Sequence, residues 1–213
     1  SSGTTSNNPS KTFLPETSFY DLAIEEALSF VPDYFHTKST EKTIKIGLIP
    51  TAKDWPHSSL AYMFSRMFDN TGEYVEVSED RFHLDFEKIA WTLQKADVPV
   101  LLYGTSYAFV QLFDYFEEVG GFSLTLPEGS RMIDTGGFKG ITREVPREEM
   151  LVLAEESLGL APHHCINEYG MSELSSQFWN SGLEEYDRLP WVRVRTMNPE
   201  TLVPAKEGVL CVY

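Results

Sequence analysis

An α/β fold, with a mostly parallel β-sheet and flanking helices, is what this sequence predicts, and three observations carry it. Stretches with helical periodicity alternate with short apolar ones, the order of successive βαβ units. Residues 98–104, VPVLLYG, are apolar almost without interruption, as in a parallel strand covered on both faces. Glycines follow three apolar stretches, at Gly104, Gly136-Gly137 and Gly170. Open parallel sheets take their ligands at the carboxyl ends of strands, so these three ends mark one crevice.

The elements follow in order. Residues 18–31 read as a helix, with Ser18 as N-cap, Asp21 at the capping-box position and Leu22, Leu28 and Val31 apolar. Residues 43–50, TIKIGLIP, read as a strand. Helix 58–70 has the clearest period, with Leu60, Met63, Phe64, Met67 and Phe68 on one face, Ser58 or Ser59 as cap and Gly72 beyond its end. A short strand at 74–78 precedes helix 85–97. After the apolar run, helix 106–119 carries Phe109, Leu112, Phe113 and Phe116 on one face and stops at Gly120-Gly121. Those phenylalanines are core, or the lining of an acyl pocket. Residues 131–137 give a strand into a glycine turn, and Pro146 opens helix 147–158. Strand 164–167 follows. From about 178 the pattern changes to two strands, 191–195 and 208–213, joined through Asn198-Pro199. The expected division is therefore an α/β core at 1–177 and the start of a smaller β-rich part at 178–213.

A chain of 213 residues, 42% hydrophobic and 13% aromatic, can bury a substantial core. Its net charge of -15 argues against a nucleic-acid surface, where Lys and Arg must neutralise phosphates. A single nucleotide needs only a local pocket. No apolar run reaches the roughly 18–20 residues of a membrane span. Cys165 and Cys211 lack metal-type spacing and lie in apolar runs, which points to buried thiols and a cytoplasmic location. The sequence starts without Met in a hydroxyl-rich loop and stops inside an apolar run, as expected of a piece of a longer protein.

The chemistry concentrates in residues 164–177, HCINEYGMSELSSQ. Tyr169 offers a flat ring, Gly170 close approach, Ser172 a hydroxyl, and Glu173 the hard oxygens that Mg²⁺ prefers. Together they suit a nucleoside triphosphate; the alternative is a strand end followed by a helix capped by Ser172. At the start, SSGTTSNNPSK gathers hydroxyls, a glycine turn and Lys11, as a polyphosphate requires, although it is no Walker A loop. The alternative there is a polar tail. His57, in the loop before helix 58–70, is either at the rim of an acyl site or a surface residue.

Four motifs in fixed order resemble the adenylate-forming (acyl-activating) superfamily. SSGTTSNNPSK resembles its phosphate loop TSGTTG-x-P-K, TGGFKG at 135–140 its GGAPL-like adenine loop, NEYGMSE at 167–173 its N-G-Y-G-x-T-E motif, and GVLCVY at 208–213 the G-E-L strand that follows. The wording LPEGSRMIDTGGFKG with INEYGMSELSSQF is closer still to the acyl-protein synthetase family, whose best-known members serve the fatty-acid reductase of bacterial luminescence. Such a resemblance implies the N-domain fold of an adenylate-forming ligase, in which a carboxylate attacks the α-phosphorus of ATP to give an acyl-adenylate and pyrophosphate.

By motif position, Ser2, Gly3, Thr4, Thr5, Ser6 and Lys11 would cradle the β- and γ-phosphates. Gly136, Gly137 and Phe138 would line adenine and the acyl entrance. Tyr169 and Gly170 would lie by adenine, Ser172 would contact the α-phosphate, and Glu173 would hold Mg²⁺. Ser172 and Glu173 are thus the catalytic candidates, ATP and Mg²⁺ the cofactors. Glu168 stands where the superfamily has a glycine. The ribose-binding aspartate, a C-terminal lysine and the acyl-accepting cysteine would fall after Tyr213, so neither Cys165 nor Cys211 takes the acceptor role. The resulting expectation is activation of a carboxylic acid, on the family's pattern a long-chain fatty acid, for transfer to a protein thiol with a reductase as partner. The alternatives are an acyl-CoA or aryl-CoA ligase, and an inert nucleotide-binding or interaction module.

Overall fold

The computed structural model describes residues 13, 15–30, 42–78, 81–136, 143–171 and 174–213. Its elements are α1 (Ser18–Phe30), β1 (Ile44–Leu48), α2 (Ser59–Phe68), β2 (Val75–Ser78), β3 (Arg81–Leu84), α3 (Phe86–Lys95), β4 (Val100–Thr105), α4 (Ser106–Glu118), β5 (Arg131–Thr135), α5 (Arg147–Leu158), a 3₁₀ turn (Pro162–His164), β6 (Cys165–Met171), β7 (Ser176–Ser181), β8 (Asp187–Arg188), β9 (Val194–Met197) and β10 (Val209–Val212).

One six-stranded sheet runs β1-β4-β5-β6-β7-β8. Its first four strands are parallel; β7 adds antiparallel to β6, and β8 antiparallel to β7. Side chains alternate across each strand, so the two faces read directly from the sequence. Leu101, Tyr103, Ile133, Ile166 and Trp179 bury one face against Met63, Phe64 and Phe68 of α2 and Ile24 of α1. Leu102, Met132 and Cys165 bury the other against Phe109, Leu112, Phe113 and Phe116 of α4 and Met150, Leu151 and Ala154 of α5. Covered on both sides, β4 is buried at every position, which is why its sequence shows no alternation. Phe109, Phe113 and Phe116 are at most 3% exposed and form core, not a pocket wall.

The helix ends follow local chemistry. The Ser58 hydroxyl accepts from Ala61 N at 3.1 Å and caps α2; Thr105 accepts from Ala108 N at 3.3 Å and caps α4. Pro146 stands at the N-cap of α5, one residue before its first turn. At the start of α1 the helix begins with Ser18, and the Thr17 hydroxyl donates to the Asp21 carboxylate at 3.2 Å.

Two features depart from the sequence expectation. The strand expected at 164–167 continues to Met171 and turns back as β7, so a strand hairpin stands where a helix capped by Ser172 was the alternative. Residues 176–181 therefore extend the main sheet past position 177, and the separate two-stranded sheet β9–β10 begins at Val194. A second hairpin, β2–β3, includes Arg81–Leu84, for which no strand was expected.

Candidate functional site

The ends of β4, β5 and β6 lie side by side. Thr105 pairs with Thr135 and Thr135 with Glu168 in the parallel ladder, so Gly136 and Tyr169 follow one step beyond the last pair. The three strand ends expected to share one crevice are adjacent.

On the α1–α2 face, Thr135 donates its hydroxyl to the Glu168 carboxylate. Glu168 is only 4% exposed, and its carboxyl is pushed up to about 7, first by burial and further by the nearby Asp134 charge, against the lowering effect of Thr135. Gly170 follows two residues on, facing the same way. A Cβ there would strike the Glu168 carboxylate and stand 3.3 Å from the carbonyl of Ser176. The phenol of Tyr20, on α1, is raised by burial and by the charge of Glu168.

On the α4–α5 face a second carboxylate, Asp134, joins β5 to α4, α5 and β6. Its Oδ1 accepts from Arg147 Nη1 at 2.6 Å, and its Oδ2 accepts from Ser106 Oγ at 2.8 Å and Asn167 Nδ2 at 2.8 Å. Arg147 also donates to the carbonyls of Cys165, at 2.7 Å, and Gly182, at 3.2 Å. Ser106 Oγ lies 2.9 Å from the carbonyl of Gly136. Asn167 Oδ1 accepts from the Tyr186 hydroxyl, and the Tyr186 ring meets Tyr169 edge-on at 6.2 Å. Neither Arg147 nor Tyr186 lies in any of the motifs, and Asp134, within LPEGSRMIDTGGFKG, carried no expected role there.

Of the expected ligand residues, Gly136, Tyr169 and Gly170 are described, and they stand together at these strand ends. Ser2, Gly3, Thr4, Thr5, Ser6, Lys11, Gly137, Phe138, Ser172 and Glu173 lie outside the described residues. Gly136 has φ +73°, a conformation glycine adopts without strain, and nothing lies within 4 Å of where a Cβ would stand. Tyr169 is 50% exposed beside it in the ladder. An open backbone and a half-exposed ring thus stand side by side at neighbouring strand ends. Among the described residues no group of three or more His, Cys, Asp and Glu is placed to hold a metal ion. Cys165 is fully buried and its thiol is pushed up to about 12, chiefly by burial, which makes it a poor acyl acceptor. His57 is exposed in its loop. No helix among the described residues is long and apolar enough to cross a membrane.

The architecture is found in solved enzymes. The ATP-bound structure of MatB from Rhodopseudomonas palustris matches all of this chain over 38% of its own, with a TM-score of 0.54 and 17% identity. An ATP-bound RpMatB-BxBclM chimera matches equally, at 18% identity. McyG A-PCP complexed with phenylalanyl-adenylate matches 96% of this chain over 38% of its own, with a TM-score of 0.51 and 16% identity. At such identity these likenesses concern the fold, and the chain spans 38% of the length of each of these structures. No curated protein matches the sequence significantly. The family model described as acyl-protein synthetase, LuxE, matches residues 49–212, which include every strand of the main sheet from β4 to β8 and the NEYG stretch. The chain belongs to the acyl-protein synthetase (LuxE) family.

Proposed function

We propose that this chain is the core of an ATP-dependent ligase that activates a carboxylic acid as its acyl-adenylate and passes the acyl group to a thiol. The observation that carries the reading is the adjacency of Gly136, open to solvent with positive φ, and the half-exposed Tyr169 ring at neighbouring parallel strand ends. Family membership and the fold shared with an ATP-bound ligand complex and an adenylate complex support it.

In this reading adenine lies between the Gly136-Gly137 backbone, with Phe138 toward the acyl entrance, and the Tyr169 ring, with Gly170 giving the chain close approach. Ser2, Gly3, Thr4, Thr5, Ser6 and Lys11 supply donors to the outer phosphates, and Ser172 contacts the α-phosphate. Glu173 holds Mg²⁺, which when bound neutralises charge on the phosphates. The reaction is largely one of positioning and charge neutralisation, so these donors do most of the protein's work. Glu168 works the other way when ionised, since it adds negative charge beside a polyphosphate; a carboxyl held up to about 7 is neutral for part of the physiological range.

Membership of an acyl-protein synthetase family supports an acyl acceptor that is a protein; the finer proposal, from the motif resemblance, is a fatty acid of long chain as substrate, a protein cysteine as acceptor, and a reductase downstream in a cytoplasmic pathway. The test is to incubate full-length protein with ATP, Mg²⁺ and carboxylic acids of graded length, following AMP release and acyl-AMP by mass spectrometry. Addition of coenzyme A or of a candidate acceptor protein then separates a CoA ligase from a protein acylase. Failure of every acid to release AMP would leave the chain as a nucleotide-binding module.

A further inference from the structure

Tyr186 lies in the segment between β7 and β8, outside the nucleotide motifs, yet it stands against Tyr169. Its hydroxyl donates to Asn167 Oδ1, and its ring stands edge-on to Tyr169 at 6.2 Å and 66°. Phe178, buried on β7, walls Tyr169 from its other neighbour position at 6.1 Å. The Asn167 amide is itself fixed, because its Nδ2 donates to Asp134 Oδ2 at 2.8 Å and to the Asp134 carbonyl at 3.2 Å. Asp134 in turn is anchored by Arg147 at 2.6 Å. A continuous path therefore runs Arg147–Asp134–Asn167–Tyr186–Tyr169, from a buried ion pair to the exposed ring on which the proposed function depends.

We propose that Tyr186 is a positioning residue for the nucleotide: held by Asn167, it fixes the orientation of the Tyr169 ring and so keeps the base platform ready before ATP arrives. The inference rests on the reading of Tyr169 as that platform. Tyr186 is 45% exposed and its hydroxyl bond lies at the surface, so removing the hydroxyl leaves the core untouched. A flexible ring must be ordered when the base binds, and a pre-ordered one need not be. The effect should therefore fall on ATP affinity and not on the chemical step.

The test uses full-length protein and measures ATP binding by calorimetry, KM and kcat for acid-dependent AMP release, and melting temperature. Tyr186→Phe should raise the Kd and KM for ATP about fivefold, the scale of one lost hydrogen bond, with kcat and melting temperature unchanged. Tyr186→Ala, which also removes the ring edge, should weaken ATP further. In a Tyr169→Ala background, Tyr186→Phe should have no added effect. Wild-type affinity in both Tyr186 variants overturns the inference, and so does an undiminished effect in the Tyr169→Ala background. If the wild-type protein binds no ATP, the proposed function itself fails and takes this inference with it; if it binds and the variants match it, only this inference fails.

Discussion

Thr135, the last residue of β5, donates its hydroxyl to the buried carboxylate of Glu168 on the adjacent strand. The bond joins two of the three strand ends that make the crevice, and it places an ionisable group where the related motif carries no side chain at all. The carboxyl has little solvent and one neighbouring negative charge, Asp134. Two consequences can be measured.

The first is a pH dependence of stability. Burial raises the Glu168 carboxyl from the ordinary 4.5 to about 7 in the folded chain. Between those values the folded protein holds a proton that the unfolded chain has lost, so stability falls as pH rises through this window and levels off above it. A shift of this size corresponds to about 3 kcal/mol at most. Glu168→Gln keeps an oxygen to accept from Thr135 and removes the charge. It should melt higher than wild type at pH 8 and converge with it near pH 5. Parallel melting curves for the two proteins from pH 5 to 8.5 would show that Glu168 is not held in this way.

A second consequence concerns Gly170. Its backbone has no positive φ to explain a glycine, but a Cβ would strike the Glu168 carboxylate. Gly170→Ala should cost about 1–3 kcal/mol, the usual range for overpacking a well-filled site. The clash disappears when Glu168 is shortened, so Gly170→Ala should cost much less in a Glu168→Ala background. Chemical denaturation of the four proteins of this cycle measures the coupling; additive costs would place the constraint on Gly170 elsewhere.

Most of the sheet was legible because burial writes itself into sequence. The apolar run at 98–104 became β4, and the stripe at Leu60, Met63, Phe64, Met67 and Phe68 became the core face of α2. The strand β7 was missed for a physical reason. Its sequence, SQFWNS, is buried at every position, yet four of the six residues are polar, and hydropathy reads such a stretch as loop. Missing β7 made β6 look short, since a partner strand is what carries Tyr169-Gly170-Met171 into the sheet. The strand expected at 74–78 is β2, whereas its partner β3 escaped because four residues of mixed polarity, RFHL, carry little periodic signal. The nucleotide motifs were readable as words, whereas the Asp134–Arg147–Asn167–Tyr186 network was not. Its members lie on β5, α5, β6 and the β7–β8 connection and meet only after folding.

A further prediction concerns that network. Arg147 is the sole cation paired with Asp134 among the described ion pairs, and the Asp134 side chain is 3% exposed. Arg147→Met would strand a buried carboxylate and leave the carbonyls of Cys165 and Gly182 without this donor. The expected cost is about 3 kcal/mol, near the low end for a buried pair broken on one side because Arg147 keeps some exposure. Adding Asp134→Asn should recover part of the loss, since it removes the uncompensated charge. Urea unfolding of the single and double variants decides this. A single variant within about 0.5 kcal/mol of wild type would mean that the ion pair stabilises nothing.

Acyl-adenylate formation is the central claim, and carboxylate-dependent exchange of labelled pyrophosphate into ATP by the full-length protein tests it most directly. The exchange should require Mg²⁺ and an acid together. It should fall by at least ~10²-fold in Glu173→Gln, the scale of losing one electrostatic stabiliser. Exchange that proceeds without any acid, or that survives undiminished in Glu173→Gln, would contradict the account.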